Sequence, residues 1–104
     1  MPYEIQFADT AISHLAALTA RERSTAIDAI EDQLSHEPLV ETRNRKLLRP
    51  NPIASWELRV GALRMFYDVA STGPPAATAS VVRILAVGKK ERSVLRIGGK
   101  VVEI

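Results

Sequence analysis

Cysteine is absent from this sequence, and histidine occurs only twice. The lack of cysteine excludes disulfides, thiolate nucleophiles, zinc–cysteine clusters and iron–sulfur centres. With two histidines and scattered carboxylates there are few ligands for a transition metal or calcium, so we expect no metal site and no cofactor. Glycine-rich phosphate loops are also missing, which argues against nucleotide-dependent catalysis.

Long apolar runs are absent too. No stretch approaches the ~20 apolar residues that span a bilayer. The first residues, Met-Pro-Tyr-Glu-Ile, lack the basic segment and apolar run of a signal peptide. We therefore expect a cytoplasmic protein with no membrane partner. The 104 residues suffice for one hydrophobic core, which predicts a single domain over residues 1–104.

Charge is unevenly distributed along the chain, although the net charge is only +2. Residues 1–37 carry two basic and seven acidic side chains, a balance of −5. Residues 38–104 carry twelve basic and five acidic ones, a balance of +7. A basic segment of this kind favours a polyanionic partner. Intramolecular ion pairing between the two segments is the alternative that the sequence leaves open.

The first third of the chain predicts a strand followed by a helical hairpin. Residues 3–7 alternate apolar and polar side chains, as in a half-buried strand. Asp9 is expected to cap a first helix, and Thr19-Ala20-Arg21-Glu22 fits the capping box of a second helix that ends near His36. We interpret His14, on the first helix, as a solvated surface group.

The middle of the chain predicts a loop and two antiparallel strands. Residues 39–54 show no periodicity and concentrate positive charge, so we interpret them as a basic loop. Alternating patterns over residues 56–60 and 63–69 predict two strands, which a tight turn at Gly61-Ala62 would join.

Further strands are predicted towards the end of the chain. Residues 70–80 are small and uncharged, which favours a mobile connection. Residues 81–87 are β-branched and almost wholly apolar, which predicts a central strand that ends at Gly88. Gly98-Gly99 is able to turn a last short hairpin, with a frayed tail as the alternative.

These elements would gather cations into a surface suited to phosphate. Guanidinium groups make bidentate contacts to phosphate oxygens, and each neutralised phosphate releases counterions. Solubilising charge on an exposed sheet face is the alternative, and it has at least equal weight for Arg43 and Arg45. The candidate residues are Arg59, Arg64, Lys89, Lys90 and Arg92 on the strands, and Arg43, Arg45, Lys46 and Arg49 in the basic loop.

Two segments carry a resemblance to a known family. Residues 56–69 are Trp-Glu-Leu-Arg-Val-Gly-Ala-Leu-Arg-Met-Phe-Tyr-Asp-Val, and residues 84–93 are Ile-Leu-Ala-Val-Gly-Lys-Lys-Glu-Arg-Ser. They resemble the RelE/ParE superfamily of toxins from bacterial type II toxin–antitoxin modules. The likeness covers essentially the whole chain, because its predicted elements follow the family's order. It implies an α+β fold, with a helical hairpin packed on one side of an antiparallel sheet, and a small antitoxin as partner.

The resemblance also implies an activity. RelE-like toxins cleave messenger RNA in the ribosomal A site without a metal, by in-line attack of a ribose 2′-hydroxyl on the adjacent phosphate. By position, Arg64 would contact the scissile phosphate and Lys90 would supply a second cation. Arg59 stands where the family has a lysine that acts as base, and Arg92 belongs to the same catalytic cluster. The basic loop and Lys89 would bind the RNA.

The sequence departs from the family's pattern at two points. Several active nucleases of the family place a tyrosine or histidine shortly after the Glu-Arg-Ser segment, where this chain has Val94-Leu95-Arg96. A guanidinium at position 59 is also a poor general base. The groups that transfer protons are therefore unassigned. Two alternatives remain: inhibition of DNA gyrase in the manner of ParE-like toxins, and a catalytically decayed module that only binds its antitoxin.

Overall fold

The computed structural model describes residues 3–72 and 79–103. Of the predicted mobile connection over residues 70–80, residues 73–78 lie outside the described residues. Residues 70–72 and 79–80 belong to strands instead, so that part of the prediction is wrong. Within the described ranges the elements are β1 (Glu4–Phe7), α1 (Asp9–Ala16), α2 (Ala20–Leu34), β2 (Arg45–Leu47), β3 (Trp56–Val60), β4 (Leu63–Thr72), β5 (Ala79–Glu91), β6 (Val94–Ile97) and β7 (Lys100–Val101). Neither helix has the length and hydropathy that a membrane span requires.

The helix starts are set by local sequence. At α2 the Thr19 hydroxyl accepts a hydrogen bond from the Glu22 amide at 3.1 Å, and the Glu22 carboxylate accepts one from the Thr19 amide at 3.0 Å. This confirms the predicted capping box, which satisfies two amide donors at the helix start. The prediction that Asp9 caps α1 is wrong. Ala8 occupies the cap position without a side-chain bond, and Asp9 lies in the first turn, where a negative charge favours the helix dipole.

The strands form a sheet with mostly antiparallel pairing. Its order in the described ranges is β2-β3-β4-β5-β6-β7, and β1 lies off this path. β1 pairs with β5 in parallel, with Glu4 opposite Val81, whereas the other pairs are antiparallel. The predicted α+β fold, with both helices on one side of the sheet, is confirmed, and the parallel pairing of β1 is an addition to it.

The main hydrophobic core lies between the helices and one face of the sheet. Ile30 and Leu34 of α2 pack there against Leu58 and Met65, and all four side chains are fully buried. We call this side of the sheet, marked by Leu58 and Met65, the helical face. The opposite side, marked by Glu57 and Arg64 on the same two strands, is the open face, because successive strand residues point to opposite sides.

An aromatic pair closes one part of the main core. The rings of Trp56 and Tyr67 stack with their centroids 6.0 Å apart. The Tyr67 hydroxyl donates a hydrogen bond to the Pro38 carbonyl at 2.7 Å, which ties the segment after α2 to the sheet. Burial raises the pKa of the Tyr67 phenol, and the nearby charge of Arg45 opposes that shift. Tyr67 is therefore a neutral structural residue.

A second, smaller core covers part of the open face. Phe66 of β4 is fully buried there, although it points away from the helices. The segment between β2 and β3, together with β6, supplies the cover. The buried residues of this second core are Ala54, Phe66, Ala86, Leu95 and Ile97. This cluster therefore covers the open face around Phe66 and Ala86 and leaves the neighbouring part of that face uncovered.

Several strand boundaries differ from the sequence prediction, and two of them affect the site. The predicted basic loop contains β2, in which Arg45 pairs with Leu58. β5 does not end at Gly88 but continues to Glu91. A Cβ at Gly88 would collide with the Arg96 carbonyl oxygen and lie 2.8 Å from Ile97 Cγ1, so the glycine allows β6 to approach β5. Gly88 thus continues the sheet instead of ending it.

The hairpin turns use left-handed backbone. Gly61 has φ +56° in the turn between β3 and β4, and Gly98 and Gly99 have φ +60° and +81° between β6 and β7. Both predicted hairpins are confirmed. A third tight turn, not predicted, joins β5 to β6 with Arg92 and Ser93 at φ +52° and +66°.

α1 completes the edge of β5 between β1 and β6. β1 pairs with β5 at residues 81–84, and β6 pairs with it at residues 88–91. Between them the Thr10 hydroxyl donates to the Leu85 carbonyl at 2.8 Å, and the Val87 amide donates to His14 Nδ1 at 3.2 Å. The interpretation of His14 as a solvated surface group is wrong, because the ring satisfies a strand amide.

Candidate functional site

Strand register brings four of the predicted site residues onto the open face. Arg59 of β3 lies opposite Arg64 of β4, and Lys46 of β2 lies opposite Glu57 of β3. Lys90 follows, by two residues, the β5 position that lies opposite Arg64. Residues opposite each other across a ladder, or two apart along a strand, project to the same face. The open face therefore presents Lys46, Arg59, Arg64 and Lys90 around a buried carboxylate.

That carboxylate belongs to Glu57, which is only 5% exposed. Its Oε1 accepts a hydrogen bond from Arg59 Nε at 2.5 Å. Glu57 also lines a cavity of about 350 Å³ together with Lys90, Ser93, Leu95, Val102 and Glu103. A buried anion thus lies beside a space that Lys90 reaches from a different strand.

Arg64 is held at the turn between β3 and β4. Its Nη1 donates to the carbonyl of Gly61 at 2.7 Å and to that of Leu63 at 2.9 Å. Its Nε is buried and has no hydrogen-bond partner among the described residues. Burial lowers the pKa of Arg64, Glu57 opposes that shift, and Arg59 adds to it. The guanidinium stays charged, since arginine does not deprotonate in proteins, and it keeps an unused donor.

Arg45, a predicted RNA-binding residue, lies on the helical face instead. It is 8% exposed. Its Nε donates to the Val40 carbonyl at 3.0 Å and its Nη1 to the Gln33 carbonyl at 2.9 Å. It also lies 3.8 Å from the carboxylate of Glu37. The guanidinium joins the end of α2 to β2. Arg45 is therefore a structural residue, and its predicted role in RNA binding is corrected.

Lys89 is separated from Lys90 by the strand alternation. It points to the helical face, where its Nζ forms an ion pair with Glu22 Oε2 at 2.9 Å. The hydrogen bond and charge of Glu22 raise the pKa of Lys89. The same hydrogen bond is the main reason that the pKa of Glu22 is lowered. This ion pair joins the basic segment of the chain to the acidic one, which is the intramolecular pairing that the sequence left open.

Comparison with solved structures identifies the fold. The crystal structure of the toxin–antitoxin complex RelBE2 from Mycobacterium tuberculosis matches with a TM-score of 0.67 and 29% sequence identity, covering 86% of this chain and 93% of that chain. The chain has the RelE-like toxin fold. No protein-family model and no curated protein sequence matches it. The RelE-like fold agrees with the resemblance carried by the hairpin and β5 segments.

Three further predicted cations lie outside the ladder in this RelE-like fold. Arg43 and Arg49 are exposed on either side of β2, and Arg49 borders a separate cavity of about 480 Å³ with Leu48, Pro50 and Asn51. Arg92 is exposed in the turn between β5 and β6. Their roles in RNA binding and catalysis stay predictions. Across the described residues no three histidine, aspartate or glutamate side chains cluster closely enough to hold a metal ion.

The sequence reasoning missed Glu57 as a site residue. Its signal was present: an acidic residue two positions before Arg59 must share a face with that arginine in a strand. Glu103 was also missed, because the cavity that it lines forms only when the last residues fold back over β6. A hydrogen bond fixes the last residues in this position: the Val102 amide donates to the Leu95 carbonyl at 2.9 Å.

Proposed function

We propose that this chain is the toxin of a type II toxin–antitoxin module and that it inhibits translation by cleaving messenger RNA on the ribosome. In this proposal its own cations, rather than a metal ion, stabilise the reacting phosphate. Support comes from the RelE-like fold, at 29% identity to a protein of a toxin–antitoxin complex. The arrangement of charge on the open face supports the catalytic part.

The observation that carries the proposal is the convergence of Arg59, Arg64 and Lys90 on one face. In-line attack of a 2′-hydroxyl places extra negative charge on the phosphate oxygens in the transition state. Cations fixed beforehand around that position lower the barrier, because they need no reorganisation during the reaction. Arg64 fits this role, because its Nη1 is held in place beforehand by the carbonyls of Gly61 and Leu63.

A cognate antitoxin is the partner that the proposal requires. We infer that it covers the open face and thereby keeps RNA away from Arg64. Co-expression of this chain with the product of the adjacent gene, followed by purification of the complex, tests this step. Growth arrest that co-expression relieves supports the inference, and arrest that co-expression leaves unchanged contradicts it.

The test of the catalytic proposal uses the purified chain in a cell-free translation system. Translation should stop, and mapping of RNA ends should show new cuts within ribosome-bound messages. A DNA gyrase supercoiling assay runs in parallel. Intact messages together with blocked supercoiling would replace the nuclease proposal with gyrase inhibition. If translation and supercoiling both proceed unchanged, the chain is a module that only binds its antitoxin.

A further inference from the structure

In-line cleavage needs a group that accepts the proton of the 2′-hydroxyl, and the cations of the open face do not supply one. A guanidinium keeps its proton, which excludes Arg59 and Arg64. Lys90 is exposed, and its ammonium is a proton donor. A base must therefore come from a carboxylate on the same face.

We propose that Glu57 is the general base of the reaction, an inference that rests on the function proposed above. Glu57 lies opposite Phe66, the residue two positions after Arg64, so the carboxylate and the guanidinium are diagonal neighbours on the open face. It shares a cavity of about 350 Å³ with Lys90. That volume lies within the range of about 300–1,000 Å³ found for small-molecule sites.

The contacts of Glu57 leave one oxygen available. Oε1 accepts the hydrogen bond from Arg59 Nε, which fixes the orientation of the carboxylate. Oε2 accepts no hydrogen bond from the described residues and is free to receive a proton. Arg59 therefore acts as a positioning residue for Glu57, which explains how an arginine serves at a position where a base was expected.

Glu57 Oε2 takes the proton of the 2′-hydroxyl, and the 2′ oxygen forms a bond to phosphorus. The bond between phosphorus and the 5′ oxygen of the next nucleotide breaks, and that oxygen leaves with the electron pair and takes a proton from water. The products are a 2′,3′-cyclic phosphate and a 5′-hydroxyl, after which Glu57 returns its proton to solvent.

Glu103 is the competing carboxylate, because it lines the same cavity. It is exposed and follows β7, whereas Glu57 is buried in the sheet and fixed by Arg59. A base held by a rigid strand keeps its distance to the 2′-hydroxyl, which proton transfer requires. The geometry thus favours Glu57, and a substitution at each position separates the two.

The experiment measures single-turnover cleavage of a messenger RNA bound in the ribosomal A site, from mildly acidic to mildly alkaline pH. Glu57→Gln keeps the size of the side chain and an acceptor for Arg59 but removes the base. We expect its cleavage rate to fall about 10²- to 10⁴-fold. Its affinity for RNA should hold or rise, because a negative charge is lost among cations. Glu57→Asp should retain more activity than Glu57→Gln.

The pH profile distinguishes a base from a residue that only positions Arg59. If Glu57 is the base, the wild-type rate should fall in acid, and Glu57→Gln should lack that fall. Glu31→Gln, an exposed change on α2, is the matched control and should behave as wild type. The charged groups that face Glu57 are Lys46, Arg59, Arg64, Lys90 and Glu103, so the acidic limb is also measured in Glu103→Gln.

Each outcome decides the proposal. An unchanged rate in Glu57→Gln, or a reduced rate with the wild-type pH profile, would overturn the role of base. Loss of the acidic limb in Glu103→Gln instead would assign the base to that residue. Thermal unfolding of each variant excludes misfolding as the cause. A wild-type chain that cuts no RNA would overturn the proposed function together with this one, whereas the results above leave that function intact.

Discussion

The imidazole of His14 takes the place of a neighbouring strand along part of β5. Its Nδ1 accepts the hydrogen bond of the Val87 amide at 3.2 Å, where β1 has ended and β6 has not begun. An amide can only donate, so Nδ1 must be unprotonated and the ring proton must lie on Nε2. Burial lowers the pKa of His14 below its ordinary value of 6.5. The fold therefore selects the neutral ring.

Stability should decrease as the pH falls below about 6.5. Because the pKa of His14 is lower in the folded chain, the unfolded chain binds more protons between the unfolded and folded pKa values. The contribution of the ring is present above the unfolded value and is lost as the pH falls through the folded one. Urea unfolding across this range checks the prediction. His14→Gln, which keeps an acceptor but does not titrate, should flatten the profile, and an equal slope in both proteins would contradict it.

Arg45 should matter for stability and Arg43 should not. Arg45→Ala leaves the Val40 and Gln33 carbonyls without their donors, and bonds from a charged donor contribute about 1.5–3 kcal/mol each. We expect the free energy of unfolding to fall by about 2–4 kcal/mol, less than the sum because water can reach part of the site. Arg43→Ala is the matched exposed change. Equal unfolding midpoints for the two variants would show that the buried bonds do not contribute.

Local patterns in the sequence predicted most of the fold, because they act over a few residues. The capping box at Thr19 and the turn at Gly61 depend on neighbours in the chain, and both were found. The strand at Arg45 was not predictable, since three residues show no period and their pairing with β3 is tertiary. Gly88 was misjudged for a related reason. A glycine in a strand ends it or allows a close approach, and only the position of β6 decides which.

The candidate site could be predicted as a set of cations but not as a geometry. Adjacent residues such as Lys89 and Lys90 look equivalent in a charge run, and the strand alternation separates them. The sequence did not predict Glu57 as a site residue, because the charge pattern is defined by basic residues. Glu57 matters as a buried anion among these cations. Contacts of this kind arise between strands and leave no local signature.

Substitutions at Lys89 and Lys90 should therefore differ although the residues are adjacent. Lys90→Ala removes a cation from the open face and should slow messenger RNA cleavage. Lys89→Ala breaks the ion pair with Glu22 on the helical face and should lower the melting temperature slightly, while cleavage persists. Cleavage assays and thermal unfolding on both variants check this. Equal losses of cleavage would contradict the assignment of the two side chains to opposite faces.

Arg64 should have the largest effect on cleavage among the cations. It lies between Arg59 on one side and the β5 residues near Lys90 on the other, so its guanidinium is central to the charge that would stabilise the transition state. Arg64→Ala should lower the cleavage rate about 10²- to 10³-fold, as removal of other preorganised donors does. Arg64→Lys should recover only part of that loss, because an ammonium keeps the charge but not the planar fork. Stability should fall only modestly: the carbonyls of Gly61 and Leu63 lose a donor, but Gly61 is exposed to water, and the buried Nε without a partner among the described residues is removed as well. Arg21→Ala, an exposed change on α2, serves as control. Undiminished cleavage by a folded Arg64→Ala variant would exclude Arg64 from the reaction.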